Sequence, residues 1–105
     1  SANLKVVAIG NSEVGIDVEL LRRVDLSVAR RFTQEEYNYI TQTDSNNRFF
    51  EIWTKKEAYL KYKGMGISGG LSSFNVLEMP QMFQTFLKNG YIITVCSDEK
   101  YRIED

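Results

Sequence analysis

The chain has 105 residues, of which 43% are hydrophobic and 12% aromatic, and its formal net charge at pH 7 is −1. This length is typical of one compact domain, and the apolar content suffices for a buried core, which excludes an intrinsically disordered chain. A charge so near zero argues against a general binder of nucleic acids or membranes. We therefore expect a single domain over residues 1–105.

Two further features of the composition bear on the compartment. The sequence contains no recognisable signal peptide and no apolar segment of membrane length, so the cytoplasm is the expected location. A single cysteine, Cys96, cannot form an internal disulfide. It follows an apolar run over residues 91–95, which predicts a buried structural thiol.

The first predicted elements are a strand over residues 4–9, a turn over residues 10–13 and a second strand, which together predict a hairpin. The second strand alternates, with Val14, Ile16, Val18 and Leu20 on one face and Gly15, Asp17 and Glu19 on the other. Asp17 and Glu19 therefore project side by side from the polar face.

Two carboxylates roughly 6 to 7 Å apart along a strand repel each other unless a positive charge lies between them. A hard, oxygen-seeking cation such as Mg²⁺ suits that place. The missing side chain of Gly15 would let a ligand approach the backbone. The alternative is an antiparallel strand with a solvated polar face, which is the more common situation for such a segment taken alone.

The middle of the sequence predicts helices. Residues 27–32 form a short helical stretch, and Thr33 begins another helix, because Thr33 and Glu36 can form a capping box. Residues 44–47 are a polar break before a long helix over about residues 46–63, which Gly64 is placed to end in a left-handed conformation. The apolar stripe of the long helix consists of Phe49, Ile52, Trp53, Tyr59 and Leu60.

Three charged residues of the long helix lie in or beside its apolar stripe. Lys56 falls within the stripe by angle, whereas Glu57 and Lys61 lie along its edge, four residues apart. An ordinary ion pair worth a few tenths of a kcal/mol is one interpretation. A Glu and a Lys that border a buried face can also reach into a cleft, where they would suit chemistry. Trp53 taken alone predicts a core residue.

The remaining elements complete the expected fold. Residues 73–76 look like a strand, and Lys88-Asn89-Gly90 predicts the turn of a last hairpin between residues 83–87 and 91–97. The predicted fold class is α+β, an antiparallel sheet with helices inserted between its second and third strands.

Two segments together resemble a known family. Val14-Gly15-Ile16-Asp17, followed about 35 to 40 residues later by Trp53-Thr54-Lys55-Lys56-Glu57-Ala58 with Lys61, resembles the motifs of the 4′-phosphopantetheinyl transferases. Gly64-Met65-Gly66-Ile67 and Ser73-Phe74-Asn75-Val76 are also similar to that family. The resemblance covers roughly residues 5–97 and is strongest to the C-terminal half of the larger, surfactin-synthetase-activating type.

The resemblance implies a transferase-like half-domain and a specific activity. Such enzymes move the 4′-phosphopantetheine arm of coenzyme A to a serine of an acyl or peptidyl carrier protein, in a Mg²⁺-dependent reaction that serves fatty-acid, polyketide or nonribosomal peptide biosynthesis. Asp17, Glu19 and Glu57 match the family's metal ligands. Lys61 matches the lysine beside the reacting phosphate, and Lys56 the adjacent basic position that faces coenzyme A. Glu57 is expected to bind the metal or, alternatively, to accept the serine proton.

The resemblance also bears on partners. The larger transferases consist of two similar halves around coenzyme A, so the chain is expected to be either an inactive fragment or a homo-oligomer in which a neighbour replaces the missing N-terminal half. In the family, the helices after the first motif help to receive the carrier protein. Here that segment carries Arg22, Arg23, Arg30 and Arg31, with Phe32, Tyr37 and Ile40 nearby.

Each of these interpretations has a rival. The arginines could form an ordinary solvated face while the apolar residues pack inward. The rival function is a noncatalytic module that binds coenzyme A or a partner without the other half of the site. A purely structural domain is the third alternative, and it requires that the three carboxylates do not converge in space.

Overall fold

The computed structural model describes residues 7–8, 14–64, 70–98 and 103–104. The predicted Gly64-Met65-Gly66-Ile67 motif lies, apart from Gly64, outside the described residues. The elements in chain order are β1 (Val7–Ala8), β2 (Gly15–Leu20), a 3₁₀ helix (Leu26–Arg31), α1 (Gln34–Gln42), α2 (Ser45–Lys63), three short 3₁₀ helices (Gly70–Ser73, Val76–Glu78 and Pro80–Met82), β3 (Phe83–Lys88), β4 (Tyr91–Cys96) and β5 (Ile103–Glu104). This is the predicted α+β fold, with the helices between the second and third strands.

The main sheet has three antiparallel strands in the order β2-β4-β3. The predicted hairpin between the first two strands is wrong for the described residues, because β1 pairs with β5 in a separate sheet while β2 pairs with β4. The predicted turn over residues 10–13 lies outside the described part of the chain. Strands that are adjacent in the sequence often pair as a hairpin. A strand from a distant part of the chain can form the same backbone hydrogen bonds, and tertiary packing decides which of the two pairings occurs.

The last hairpin forms as predicted. Asn89 and Gly90 connect β3 to β4 with φ angles of 52° and 81°. Positive φ at both central residues is the requirement of the tight turn that matches the twist of two paired strands. Asn and Gly adopt this conformation at low cost, so the local sequence suffices to place the turn.

The boundaries of the two long helices follow from their capping residues. Thr33 and Glu36 form the predicted capping box, since the Thr33 Oγ1 accepts from the Glu36 amide at 3.1 Å and Glu36 Oε1 accepts from the Thr33 amide at 2.9 Å. Helix α2 ends at Gly64, whose φ of 74° confirms the predicted left-handed end. The helix begins at Ser45, about one residue earlier than predicted, so the break before it is shorter than residues 44–47. Asp44, the residue before the helix, has a left-handed backbone conformation.

Residues 73–76 are not a strand, as their sequence had suggested. They lie where two short 3₁₀ helices meet, and the Asn75 side chain accepts from the Leu77 amide at 3.0 Å. Asparagine side chains often close such local turns in place of a strand's ladder bonds.

The hydrophobic core lies between the helices and one face of the main sheet. Strand β2 directs Gly15 and Asp17 toward α2, where both are buried, whereas Leu20 on its apolar face is 49% exposed. This orientation is the reverse of the usual one, in which the apolar face of a strand is the buried face. Cys96 is buried, as predicted. The core comprises Ala29, Phe32, Ile40, Phe49, Phe50, Ile52, Val76 and Ile92.

None of the helices in the described ranges combines the length and apolar character that crossing a membrane requires.

Candidate active site

Gly15 allows β2 and α2 to pack unusually closely. A Cβ atom at this position would lie 1.9 Å from the Ala58 carbonyl oxygen and 2.3 Å from the Tyr62 amide nitrogen. No side chain fits there, because backbone atoms cannot move aside as a flexible side chain can. The sequence had suggested that Gly15 leaves room for a ligand, but the helix backbone occupies that space.

This contact aligns the polar face of β2 with one side of α2. The strand and the helix run in opposite directions, so Gly15 meets Tyr62, Asp17 meets Lys61 and Glu19 meets Trp53. The packing therefore brings the two sequence motifs together along one line. Residues that are more than 30 positions apart in the chain become neighbours.

Asp17 is the most deeply buried carboxylate on this line, with 5% of its surface exposed. Its Oδ1 accepts from Lys61 Nζ at 3.0 Å, and the same ammonium donates to the Ile16 carbonyl oxygen at 3.2 Å. Its Oδ2 is buried and has no hydrogen-bond partner. A buried carboxylate oxygen without a partner is costly, so Asp17 is suited to a further positive ligand.

Glu19 is held by a residue whose role the sequence did not reveal. Trp53 Nε1 donates to Glu19 Oε2 at 3.2 Å, and the indole ring stacks against Phe32 and Phe49. Arg22 approaches the other carboxylate oxygen at 3.6 Å. Burial and the neighbouring Asp17 raise the pKa of Glu19. The only signal in the sequence was the indole N–H itself, a donor that needs a partner when the ring is partly buried.

Glu57 lies one helical turn before Lys61 and also interacts with Asp17. Burial and the charge of Asp17 raise the pKa of Glu57, while Lys61 lowers it. The negative charge of Asp17 thus acts on both Glu19 and Glu57. The carboxylates repel one another, and a bound cation would relieve this repulsion.

The donor set fits a hard divalent cation in chemistry, although its side chains are not yet assembled around one point. Across residues 14–64 and 70–98, no three side chains of metal-ligating type are already gathered within reach of a single ion. Three carboxylates are nevertheless the oxygen donors that Mg²⁺ prefers, and the unpartnered Asp17 Oδ2 is the atom that most needs it.

Lys56 lies outside this cluster, in a buried ion pair. Its Nζ lies 2.7 Å from Glu36 Oε1, both side chains have no exposed surface, and it also donates to the carbonyl oxygens of Leu71 and Phe74. Glu36 Oε2 in turn accepts from the Val76 amide at 2.7 Å. Burial lowers the pKa of Lys56, and Glu36 opposes that effect.

The ion pair thus ties α1, α2 and the segment after α2 together. A contact between Lys56 and coenzyme A, as the resemblance implies, would require this pair to open. The sequence signal for the pair was a lysine inside an apolar stripe, since a buried ammonium needs a buried acid. Glu36 had been assigned only to the capping box.

Residues 22–40, the segment that carries the four arginines, contain both buried and exposed side chains. Phe32 and Ile40 are buried in the core, in agreement with the alternative in which they pack inward. Arg30 stacks over Tyr37 with 5.1 Å between the guanidinium carbon and the ring centroid. The exposed arginines are Arg22, Arg23, Arg30 and Arg31.

The acidic residues of β2, Asp17 and Glu19, thus lie beside Lys61 and Trp53 of α2, as the joint occurrence of the two motifs in the sequence required. The family model described as the 4′-phosphopantetheinyl transferase superfamily matches residues 13–103. The chain belongs to this superfamily.

Curated relatives agree with this assignment. The 4′-phosphopantetheinyl transferase psf-1 of Bacillus pumilus is 34% identical over 116 residues, which cover 92% of this chain and 50% of that protein. The 4′-phosphopantetheinyl transferase Sfp of Bacillus subtilis (strain 168) is 32% identical over 111 residues, or 88% of this chain and 50% of that protein. The transferase HetI of Nostoc sp. is 41% identical over 75 residues, or 65% of this chain and 32% of that protein.

The chain spans about half the length of the first two of these relatives. This agrees with the expected likeness to the C-terminal half of the larger type of transferase. No solved structure matches the chain significantly.

Proposed function

We propose that this protein contributes the metal-binding half of an enzyme that transfers the 4′-phosphopantetheine arm of coenzyme A to a serine of an acyl or peptidyl carrier protein. The observation that carries the proposal is the environment of Asp17. A carboxylate that is 5% exposed, with one oxygen unpartnered, lies beside an ammonium and interacts electrostatically with two glutamates.

The metal site consists of Asp17, Glu19 and Glu57. Mg²⁺ bound there would neutralise the diphosphate of coenzyme A and stabilise the negative charge that develops on the leaving group. Gly15 fixes the distance between strand and helix, and Trp53 orients Glu19. Lys61 is half-exposed, with 54% of its side chain accessible, so its ammonium can move toward a phosphate.

The transfer is a displacement at phosphorus. The serine oxygen of the carrier forms a bond to the phosphorus next to pantetheine, and the bond from that phosphorus to the bridging diphosphate oxygen breaks. Adenosine 3′,5′-bisphosphate leaves with the electron pair. Lys61 stabilises the charge on the phosphate oxygens. The serine proton passes to Glu57, directly or through water, or to solvent water when Glu57 is bound to the cation.

The carrier protein is proposed to approach the exposed arginines after β2. Arg23, Arg30 and Arg31 are exposed to solvent, and guanidinium groups pair well with the carboxylates of an acidic helical protein. Fatty-acid, polyketide and nonribosomal peptide synthesis are the pathways proposed for such a carrier. A cytoplasmic location belongs to the same proposal.

One observation favours a second candidate function. Because the chain spans about half of its first relatives, part of the coenzyme A site is expected to come from elsewhere, either from a second copy or from an N-terminal half. Without that part, the chain would be a noncatalytic module that holds coenzyme A or a partner.

The test is transfer itself. The chain is incubated with coenzyme A, Mg²⁺ and an apo carrier protein, and the carrier is weighed by intact mass spectrometry. We expect the mass of the carrier to increase by one phosphopantetheine arm. The increase should disappear with EDTA and with Asp17→Ala, and it should persist with Glu78→Ala, a control that removes an exposed carboxylate from a 3₁₀ helix.

The other outcomes separate the two candidates. No mass increase from the chain alone, but an increase once an N-terminal half from a relative is added, would identify the chain as half of an enzyme. If neither sample modifies the carrier while the chain still binds coenzyme A, the binding module is the correct interpretation.

A further inference from the structure

Lys61 forms an ion pair with the buried Asp17 carboxylate. Its Nζ lies 3.0 Å from Asp17 Oδ1 and 3.2 Å from the Ile16 carbonyl oxygen. No other cation is recorded within salt-bridge distance of the Asp17 carboxylate among the described residues. The ammonium therefore partly neutralises a buried acid that would otherwise be isolated.

The same side chain is much more exposed to solvent than its acidic partner. Its exposed fraction is 54%, whereas Asp17 is buried and rigidly placed by the close packing at Gly15. A lysine is a point charge on a flexible stem of four carbons, so it can exchange one anionic partner for another without moving the helix. Lys56 offers the contrast, because it is fully enclosed and bound by Glu36 and two carbonyl oxygens.

We propose that Lys61 holds the place of the divalent cation at Asp17 and leaves it when a diphosphate ligand draws the ammonium away, so that the cation and the diphosphate bind cooperatively. This inference rests on the proposed function, since it presupposes that Asp17 binds the cation. It adds that Lys61 couples the binding of the cation to the binding of the diphosphate.

The physical reason is competition for one carboxylate. A divalent ion that arrives alone meets the positive charge of Lys61 a few ångströms away and must displace it or tolerate its repulsion. A diphosphate gives the ammonium a new partner, which removes the repulsion and frees Asp17 Oδ1. By linkage, the cation must then increase the affinity for the diphosphate by the same factor.

A simpler arrangement is the alternative. The ion could bind to the unpartnered Oδ2 while Lys61 stays on Oδ1, and Lys61 would then add nothing to the coupling between the cation and the diphosphate. Removal of Lys61 would leave the affinity for the ion unchanged in that case, or would lower it if the lysine helps to orient Asp17. The two arrangements therefore predict different effects of the same substitution.

The experiment measures Mn²⁺ affinity by electron paramagnetic resonance of the free ion, with the 105-residue chain, in the presence and absence of coenzyme A. The variants are Lys61→Met, which removes the competing charge, and Lys61→Arg, which retains it. Lys63→Met is the matched control, because it removes an equal charge from the same turn of the helix. Lys63 is exposed, and its ammonium lies over the Tyr59 ring. Asp17→Asn tests the metal site itself.

Without coenzyme A, we expect Lys61→Met to bind Mn²⁺ about 2- to 5-fold more tightly than the wild type, which corresponds to the loss of a partly exposed ion pair. Lys61→Arg and Lys63→Met should leave the affinity unchanged. After correction for the Mn²⁺ that coenzyme A binds by itself, coenzyme A should increase the Mn²⁺ affinity of the wild type by a larger factor than that of Lys61→Met.

Each other outcome overturns the inference in a recognisable way. Unchanged or weaker binding by Lys61→Met, while Asp17→Asn abolishes binding, refutes the inference and leaves the proposed function intact. Equal tightening by Lys63→Met would assign the effect to the general charge of the chain. No Mn²⁺ binding by the wild type, or equal binding by Asp17→Asn, would refute both the metal site and the inference.

Discussion

At the scale of single residues, Glu57 is the most informative position, because its carboxylate feels the charges of both the buried Asp17 and the half-exposed Lys61. We expect Glu57→Gln to lower transfer by the complete enzyme about 100-fold or more, since a ligand for the cation or a proton acceptor is lost. The free energy of unfolding should change by less than about 1 kcal/mol, because Gln has nearly the same shape. Intact-mass kinetics and urea denaturation measure the two effects, and retained transfer would remove Glu57 from the mechanism.

The same residue predicts how stability depends on pH. Burial and Asp17 raise the pKa of Glu57 above its ordinary value of 4.5. Between 4.5 and the raised value the folded chain binds more protons than the unfolded chain, so this stabilisation is complete below 4.5 and is lost as the pH rises through the raised pKa. Glu57→Gln lacks this titration.

We therefore expect the melting temperature of Glu57→Gln, relative to that of the wild type, to increase as the pH rises from 4.5 toward neutrality in EDTA. Thermal unfolding in a series of buffers measures the difference. A difference that stays constant across this range would mean that Glu57 titrates normally in the folded chain.

At the scale of elements, the contact between β2 and α2 determines the geometry of the site. Gly15→Ala places a Cβ 1.9 Å from the Ala58 carbonyl oxygen, so strand and helix must separate. We expect a loss of about 3 kcal/mol, at the upper end of overpacking effects, because a backbone neighbour cannot rotate away. Denaturant unfolding measures the loss.

Gly64→Ala provides the control for this prediction. Gly64 has a φ of +74°, and a Cβ at this position would meet no atom within 4 Å, so only the left-handed conformation opposes the new methyl group. We expect a cost of about 1 to 2 kcal/mol and normal metal binding. If Gly15→Ala and Gly64→Ala lower the free energy of unfolding equally, close packing against α2 is not the reason that position 15 requires glycine.

The buried Glu36–Lys56 pair connects three elements and predicts a different pattern. Lys56→Met should cost about 3 to 5 kcal/mol, because it leaves the Glu36 carboxylate buried without a counter-ion. Adding Glu36→Gln should recover part of this loss, since no buried charge then remains. Urea denaturation of both variants tests the pair. If Lys56→Met instead lowers the free energy of unfolding by less than about 1 kcal/mol and weakens coenzyme A binding, the role that the family resemblance implies for Lys56 is supported.

At the scale of the whole molecule, the relation of this chain to longer relatives predicts that transfer depends on concentration. If a second copy or a separate chain completes the site, two chains must meet, so the fraction of complete sites falls on dilution by mass action. We expect the transfer rate per chain to decrease when the chain alone is diluted, and to recover when the missing half is supplied. A rate per chain that is constant on dilution would show that one copy suffices.

Local sequence was sufficient for those features that depend on a few neighbouring residues. The Thr33–Glu36 capping box, the turn at Asn89-Gly90 and the left-handed end at Gly64 each involve residues that are close in the chain, and all three were predicted. The spacing of the two motifs identified the family, which the match to the superfamily confirms. The roles assigned to Asp17, Glu19, Glu57 and Lys61 remain predictions.

Only the tertiary structure decided which surfaces meet. The sequence could not show that the polar face of β2 is the one packed on α2, that Trp53 holds Glu19 from 34 residues away, or that Glu36 is the buried partner of Lys56. Nor could it show that β1 pairs with β5 rather than with β2. Alternation and helical periodicity define the faces of an element, but the partner of each face is chosen by the packing energy of the whole chain.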